Sequence, residues 1–224
     1  MNIRISRYLI AAVAVAILSF APSALADGAS MDLTGAGSNV LGGVYVGAYT
    51  VTINGVSTQV VCDDYADESY IGETWTATEN ALGTLTGTKW GSQTNATQGY
   101  DEMAWLFNQM FSTTNTQTIA DIQYAIWAVF DPGALSAISG TDLANAEWWL
   151  TQAGLQSFYA GEFSNIVIYT PNTSYPISCS GQSCANTPPQ EFMAYVATPE
   201  PSTVLMLGLG MLSLGFLFRR RAIA

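Results

Sequence analysis

Apolar and polar residues alternate in short runs towards both ends of the chain's middle part and recur at helical spacing between them. Residues 44–53 are rich in β-branched and aromatic side chains, Asn54-Gly55 is a strong tight-hairpin signal, and residues 56–62 return as a second strand. "ETWTATENAL" is a weaker strand that leads into a Thr-, Gly- and Asn-rich loop over residues 83–99. Helices follow. Tyr100, Met103, Phe107 and Met110 share one helical face, and Ile119, Ile122, Ile126 and Val129 share another behind a Thr118-x-x-Asp121 pattern that resembles a capping box. Asp131-Pro132-Gly133 stops that second helix, and a third is expected over 141–153, ending at Gly154. Two late strands, "NIVIYT" and "EFMAYVAT", close the body. Strands at both ends with helices between predict an α+β domain: a mixed β-sheet or barrel-like body with a helical insertion.

The two ends of the chain carry a different pattern. Arg4 and Arg7 precede an apolar run over residues 9–20, and "ALA" at 24–26 is a small-residue cleavage site, so residues 1–26 read as a secretory signal peptide. At the other end Pro199, Glu200 and Pro201 stand before an apolar stretch, 204–218, followed by Arg219, Arg220 and Arg221. About fifteen residues rising ~1.5 Å each just cross a thin hydrocarbon core, which predicts a single C-terminal transmembrane helix. The three arginines would anchor its end in the cytoplasm, leaving the body outside. Motif, span and Arg cluster together resemble the PEP-CTERM sorting signal of Gram-negative bacteria that export extracellular polysaccharide. That resemblance implies residence in the inner membrane, processing by an exosortase near Pro199-Glu200-Pro201, and delivery to the cell surface or extracellular matrix. The domain plan is therefore a signal peptide at 1–26, an extracytoplasmic body at 27–198 and a sorting tail at 199–224.

Charge and composition narrow what the body can do. Its only basic residue is Lys89, against sixteen of the chain's seventeen acids, so its net charge lies near −15. Such a surface repels phosphate backbones, and no nucleic-acid partner is expected. The chain has no histidine, which removes Ser-His-Asp and Cys-His catalysis and histidine metal ligation. No phosphate-binding Gly loop or zinc-type cysteine pair is present, so the body is expected to be neither an enzyme nor the holder of a cofactor. Asp63, Asp64, Asp67 and Glu68 in "CDDYADES" are dense enough in oxygen to be weak Ca²⁺ candidates, although they lack EF-hand spacing, and a solvated acidic loop is the alternative. In "AEWWL", Trp148 and Trp149 are neighbours on a helix and cannot both face the core fully. One of them could stack on a sugar ring, and ordinary helix packing is the alternative.

Three cysteines in an exported chain leave one over. Cys179 and Cys184, in "SCSGQSC", predict a small local disulfide. Cys62 is then unpaired at the end of a strand, in "VVCDDY". Gln123 lies in the otherwise apolar run "ADIQYAIWAVF", at the border of the buried stripe, with Trp127 one turn further on to cover it. Burying an amide without partners costs ~1–3 kcal/mol, so its position asks for a reason. If the strand packs on the helix, thiol and carboxamide meet in a dry, aromatic-capped spot. The bland alternatives are a buried hydrophobic cysteine, a core glutamine satisfying a backbone group, or pairing of Cys62 with Cys179 or Cys184.

Cys62 in "VVC" together with Gln123, Ala125, Ile126 and Trp127 in "IQYAIW" resembles the thioester domains of bacterial surface adhesins, over roughly residues 44–170. The resemblance implies an internal Cys62–Gln123 thioester able to acylate an amine or hydroxyl on a surface protein or extracellular polysaccharide. Ile122 precedes Gln123 where the best-known motif has Thr, which bears on whether the bond forms. The function expected is that of an exported adhesin, and the rival is a non-covalent biofilm-matrix scaffold or polysaccharide-binding protein.

Overall fold

The computed structural model describes residues 28–172, 188–195, 208 and 210–211, with the main chain alone of 178–179. The signal peptide at 1–26, the Cys179–Cys184 disulfide, Pro199, Glu200 and Pro201, and Arg219, Arg220 and Arg221 are expectations that lie outside those residues.

Six strands close a barrel: β1 (Ala29–Gly35), β4 (Tyr49–Ile53), β5 (Val56–Cys62), β9 (Phe192–Tyr195), β7 (Ile166–Pro171) and β6 (Glu73–Ala81), with β6 pairing back to β1. A short β8 (Ser178–Cys179) adds to the outside of β6. The remaining two strands, β2 (Val40–Leu41) and β3 (Val44–Tyr45), form a separate hairpin. Neighbours run antiparallel from β1 through β4 and β5 to β9, and from β1 through β6 to β7, so alternation makes the β9–β7 contact antiparallel as well. The sheet is therefore antiparallel throughout and not mixed. Closure leaves each barrel strand paired on both sides, which removes the exposed edges of an open sheet.

Local sequence explains much of this. Asn54 and Gly55 take φ of 50° and 84°, and Ile53 pairs with Val56 across them, the geometry of a two-residue turn with both central residues at positive φ. The stretch 44–53 is not one strand, however. Gly47, at φ 99°, breaks it, and a Cβ there would stand 2.7 Å from Cγ2 of Ile119. A further strand precedes residue 44: Ala29, Met31 and Leu33 alternate inward on β1. The barrel thus extends beyond 44–170 at both ends. By compactness the chain divides between Ala194 and Tyr195.

The helical insertion lies between β6 and β7: α1 (Ala96–Phe111), α2 (Thr116–Ala128), a 3₁₀ turn (Pro132–Ala137) and α3 (Gly140–Gly154). Asn115, and not Thr118, caps α2, its side chain accepting from the Thr118 N–H at 3.1 Å. Asp121 is free of any capping role and instead ties α2 to α3, accepting from Asn145 Nδ2 at 2.9 Å and from Gln117 Nε2 at 2.8 Å. Residues 120–128 of α2 are all buried, so the helix is core on every side. Ala120, Tyr124 and Trp127 join the barrel's apolar cluster with Val51, Val60, Cys62 and Phe192. Ile122, Ala125 and Ile126 join a second cluster with Val61, Tyr100, Phe107 and Ile168. This two-sided burial moves Gln123 from the border of a stripe to the interior.

Among the described residues no helix is long and apolar enough to cross a membrane. The expected span at 204–218 is described only at residues 208, 210 and 211, which are helical and exposed.

Candidate functional site

Cys62 is the last residue of β5, and both it and Gln123 are 0 % exposed. Alternation along β5 sends Val60 and Cys62 to the barrel cluster and Val61 to the helical one. The α2 helix lies against that strand end, and Gln123 Nε2 donates to the main-chain oxygen of Cys62 at 2.7 Å. On its other side the Gln123 carboxamide oxygen accepts from the Gly47 N–H at 3.4 Å. The amide is thus held between a donor and an acceptor, which answers why a buried glutamine is tolerated in so apolar a helix.

The thiol is equally enclosed. It donates to the Asp64 carbonyl at 3.0 Å and accepts from the Asp64 N–H at 3.4 Å. Burial pushes the Cys62 thiol well above its ordinary range, and the charges of Asp64 and Asp63 add to this, against smaller opposing effects of the Asp64 main-chain contact and the Trp127 indole. The group is a thiol, not a thiolate, at neutral pH. Trp127 is 2 % exposed and its indole covers the thiol. Tyr65 and Tyr124 pack on that indole with ring centroids 5.1 and 5.0 Å away, completing an aromatic wall.

The acidic cluster does not assemble as one loop, and it is not solvated as a unit. Asp63 is fully buried on the opposite side of β5 from Cys62, next to Glu191. Burial raises its pKa far above the usual carboxylate range, helped by the Glu191 charge. Neither carboxyl oxygen of Asp63 meets a hydrogen-bond partner, so nothing there offsets the cost of burying its charge. Glu191, too, is raised by burial, but Tyr100 Oη donates to it at 2.6 Å, the Lys89 N–H at 2.9 Å, and the Thr170 hydroxyl also donates. Asp64, also buried, pairs with Lys89, which bonds Asp67 at 2.7 Å as well. Glu68 turns outward to accept from Tyr70 Oη at 2.5 Å. Among the described residues no group of three or more Cys, Asp or Glu is placed to hold a metal ion. Of the four Ca²⁺ candidates, Asp64 and Asp67 are engaged by Lys89, Asp64 also accepts from the main-chain N–H groups of Ala66 and Asp67, Glu68 accepts from Tyr70, and Asp63 is buried without a hydrogen-bond partner.

Trp148 is 53 % exposed and stands edge-on to Trp149, which packs against Trp105 with centroids 6.1 Å apart. Two contributors to the interior were not read from the sequence: Glu191, a single charge beside an apolar run, and the Gly47 N–H. A glycine interrupting a β-rich run was the one available signal for Gly47.

Residues 197–221 match the PEP-CTERM protein-sorting motif. No curated protein and no solved structure matches the chain.

The PEP-CTERM sorting motif at residues 197–221 marks an exported protein that an exosortase, a membrane protease, processes, and a function for the body starts from that premise.

Proposed function

We propose that the body is an adhesin or matrix-attachment domain that acts through a Cys62–Gln123 thioester, and that it performs single-use acylation and not enzymatic turnover. The observation that carries this reading is the fully buried contact between Gln123 and Cys62, made across the strand–helix junction. In the bond-forming step the Cys62 sulfur attacks Gln123 Cδ, the C–N bond breaks, and the thiol proton leaves with the nitrogen as ammonia. Juxtaposition of the two groups can be worth ~7–11 kcal/mol in well-oriented cases. Because the Cys62 pKa is raised, the thiol proton has to be removed as the sulfur attacks, and the departing nitrogen is the group that takes it. The Gly47 N–H, already on the carboxamide oxygen, would stabilise the oxyanion of the tetrahedral intermediate.

In the acyl-transfer step an amine or hydroxyl of a surface protein or polysaccharide attacks the Gln123 carbonyl. The C–S bond breaks, the proton moves to sulfur, and the acceptor stays linked to Gln123. Lys89, the body's only lysine, is engaged by Asp64 and Asp67, which fits a chain that does not consume its own thioester. The test is the intact mass of the secreted body, before and after methylamine. A mass short by one ammonia, then raised by one methylamine at Gln123, is the expected result; a full mass indifferent to methylamine sinks the reading.

A second reading, a non-covalent polysaccharide-binding matrix protein, draws on one observation: the exposed ring of Trp148 beside Trp149. It is tested by retention of the body on immobilised glycans, with and without Trp148→Ala.

A further inference from the structure

Cys62 and Gln123 are both 0 % exposed, so no external nucleophile reaches them unless part of the wall moves. Most of that wall is poorly suited to moving. The β5 strand is paired on both sides, by β4 and β9, and α2 is buried along residues 120–128. The β2–β3 hairpin differs. It consists of two pairs of residues, Val40 with Tyr45 and Leu41 with Val44, around Gly42 and Gly43. An isolated two-stranded hairpin is marginal in water, so its position depends on what holds it to the body. Val40, Val44 and Tyr45 are exposed, and the hairpin buries little apolar surface of its own beyond Leu41.

Its attachments are few and point at the site. Tyr124, the neighbour of Gln123, donates from its hydroxyl to the Leu41 carbonyl at 3.0 Å. Tyr49, in the barrel cluster with Cys62, donates to the Tyr45 carbonyl at 2.7 Å. At the foot of the hairpin Asn39 Nδ2 donates to the Thr116 carbonyl at 2.8 Å, and Gly47 ends on the Gln123 oxygen. The fit of the tip requires glycine: a Cβ on Gly42, at φ 60°, would stand 2.2 Å from the Tyr124 hydroxyl and 3.0 Å from the Ala137 carbonyl. Gly37 and Gly47 flank the hairpin at φ 64° and 99°, backbone conformations that glycine enters and leaves with less steric resistance than other residues.

We infer that the β2–β3 hairpin is the gate of the Cys62–Gln123 site, latched by the Tyr124 and Tyr49 hydroxyls and opened to admit the acceptor. Its purpose rests on the thioester reading, but its test does not. Closed, it keeps water from the bond; open, it exposes the carbonyl of Gln123 beside the hinge at Gly47.

The experiment compares the wild-type body with Tyr124→Phe and Gly42→Ala, each first shown by its thermal melt to be folded. Where the protein carries a thioester, the rate read is methylamine uptake; where it does not, it is alkylation of Cys62 by iodoacetamide. Loss of one hydroxyl latch should accelerate either rate about fivefold, and the Gly42 methyl group, which props the tip away from Tyr124, by about tenfold or more. Tyr65→Ala is the control for the aromatic side of the wall. Unchanged rates in both hairpin variants, or acceleration only in Tyr65→Ala, would overturn the gate. Absence of a thioester overturns the acylation reading alone, because the alkylation rates still report on the hairpin.

Discussion

The carboxamide nitrogen of Gln123 donates to the main-chain oxygen of Cys62 at 2.7 Å, across 61 positions of the chain. That single bond fixes the glutamine with its carbonyl towards the Gly47 N–H and its carbon beside the strand end that carries the thiol. Both groups owe their burial to α2 being wrapped by the barrel on one side and by the other helices on the other.

Substituting Cys62 by Ala should abolish both the ammonia deficit and methylamine uptake while leaving the fold intact, at a cost of about 1–2 kcal/mol for the small cavity. Mass spectrometry and a thermal melt on the same sample decide it. Amine incorporation by the Ala variant would show that the chemistry lies elsewhere.

Replacing Gln123 by Ala leaves the Gly47 N–H and the Cys62 carbonyl without their partner in a dry interior. A loss of about 2–4 kcal/mol in denaturant unfolding is expected, from the cavity and the unsatisfied groups together. A neutral result would mean that water or a rearranged loop enters this space.

Gly47→Ala places a methyl group 2.7 Å from Ile119 in a backbone at φ 99°, and so displaces the N–H from the Gln123 oxygen. Thioester formation should slow about a hundredfold, the usual effect of losing one oxyanion donor. Time-resolved mass measurement after refolding reads this directly, and an unchanged rate removes Gly47 from the mechanism.

Asp63, Glu191 and Asp64 all have pKa values raised by burial. A carboxyl raised in the folded state holds its proton more tightly there than when unfolded. Its stabilisation is therefore full below the unfolded value, about 4, and is lost as pH rises through the folded value. The contribution of Lys89, whose pKa is raised, is constant below about 10. The melting temperature should fall as pH rises above about 4, and Asp63→Asn, which removes one of the raised carboxyls, should flatten that fall. A wild-type melt that rises with pH would contradict the raised pKa values of these three carboxyls.

Lys89→Met leaves the buried Asp64 carboxylate without its counter-charge. Removing one partner of such a pair costs about 2–4 kcal/mol, somewhat below the fully buried case because Lys89 is partly exposed. Equilibrium unfolding at neutral pH measures it, and a cost under about 1 kcal/mol would class the contact with ordinary surface pairs.

What the sequence determined by itself was whatever short-range chemistry can specify. The Asn54-Gly55 turn could hardly be anything else, because two adjacent positive-φ residues between β-rich runs fold back on themselves. The helical insertion followed from the spacing of Tyr100, Met103 and Phe107 and of Ile119, Ile122 and Ile126. The sorting motif at 197–221 was legible because it is a contiguous word addressed to a processing enzyme. The two residues of the candidate site could be named from the sequence, a leftover cysteine and an amide where none belongs.

Tertiary structure alone decided the rest. Closure of the barrel depends on β1 meeting both β4 and β6, a pairing between segments far apart that no local pattern encodes. It also decided that Asp63 and Asp64, adjacent in sequence, have different surroundings: one carboxyl is buried near Glu191 without a hydrogen-bond partner, the other binds Lys89. The contribution of Gly47 is a main-chain N–H, which every residue but proline carries, so only its position against Gln123 distinguishes it. A pattern of side chains names the groups available for chemistry; their distances, protonation and burial are set by long-range contacts, whose partners the local sequence does not specify.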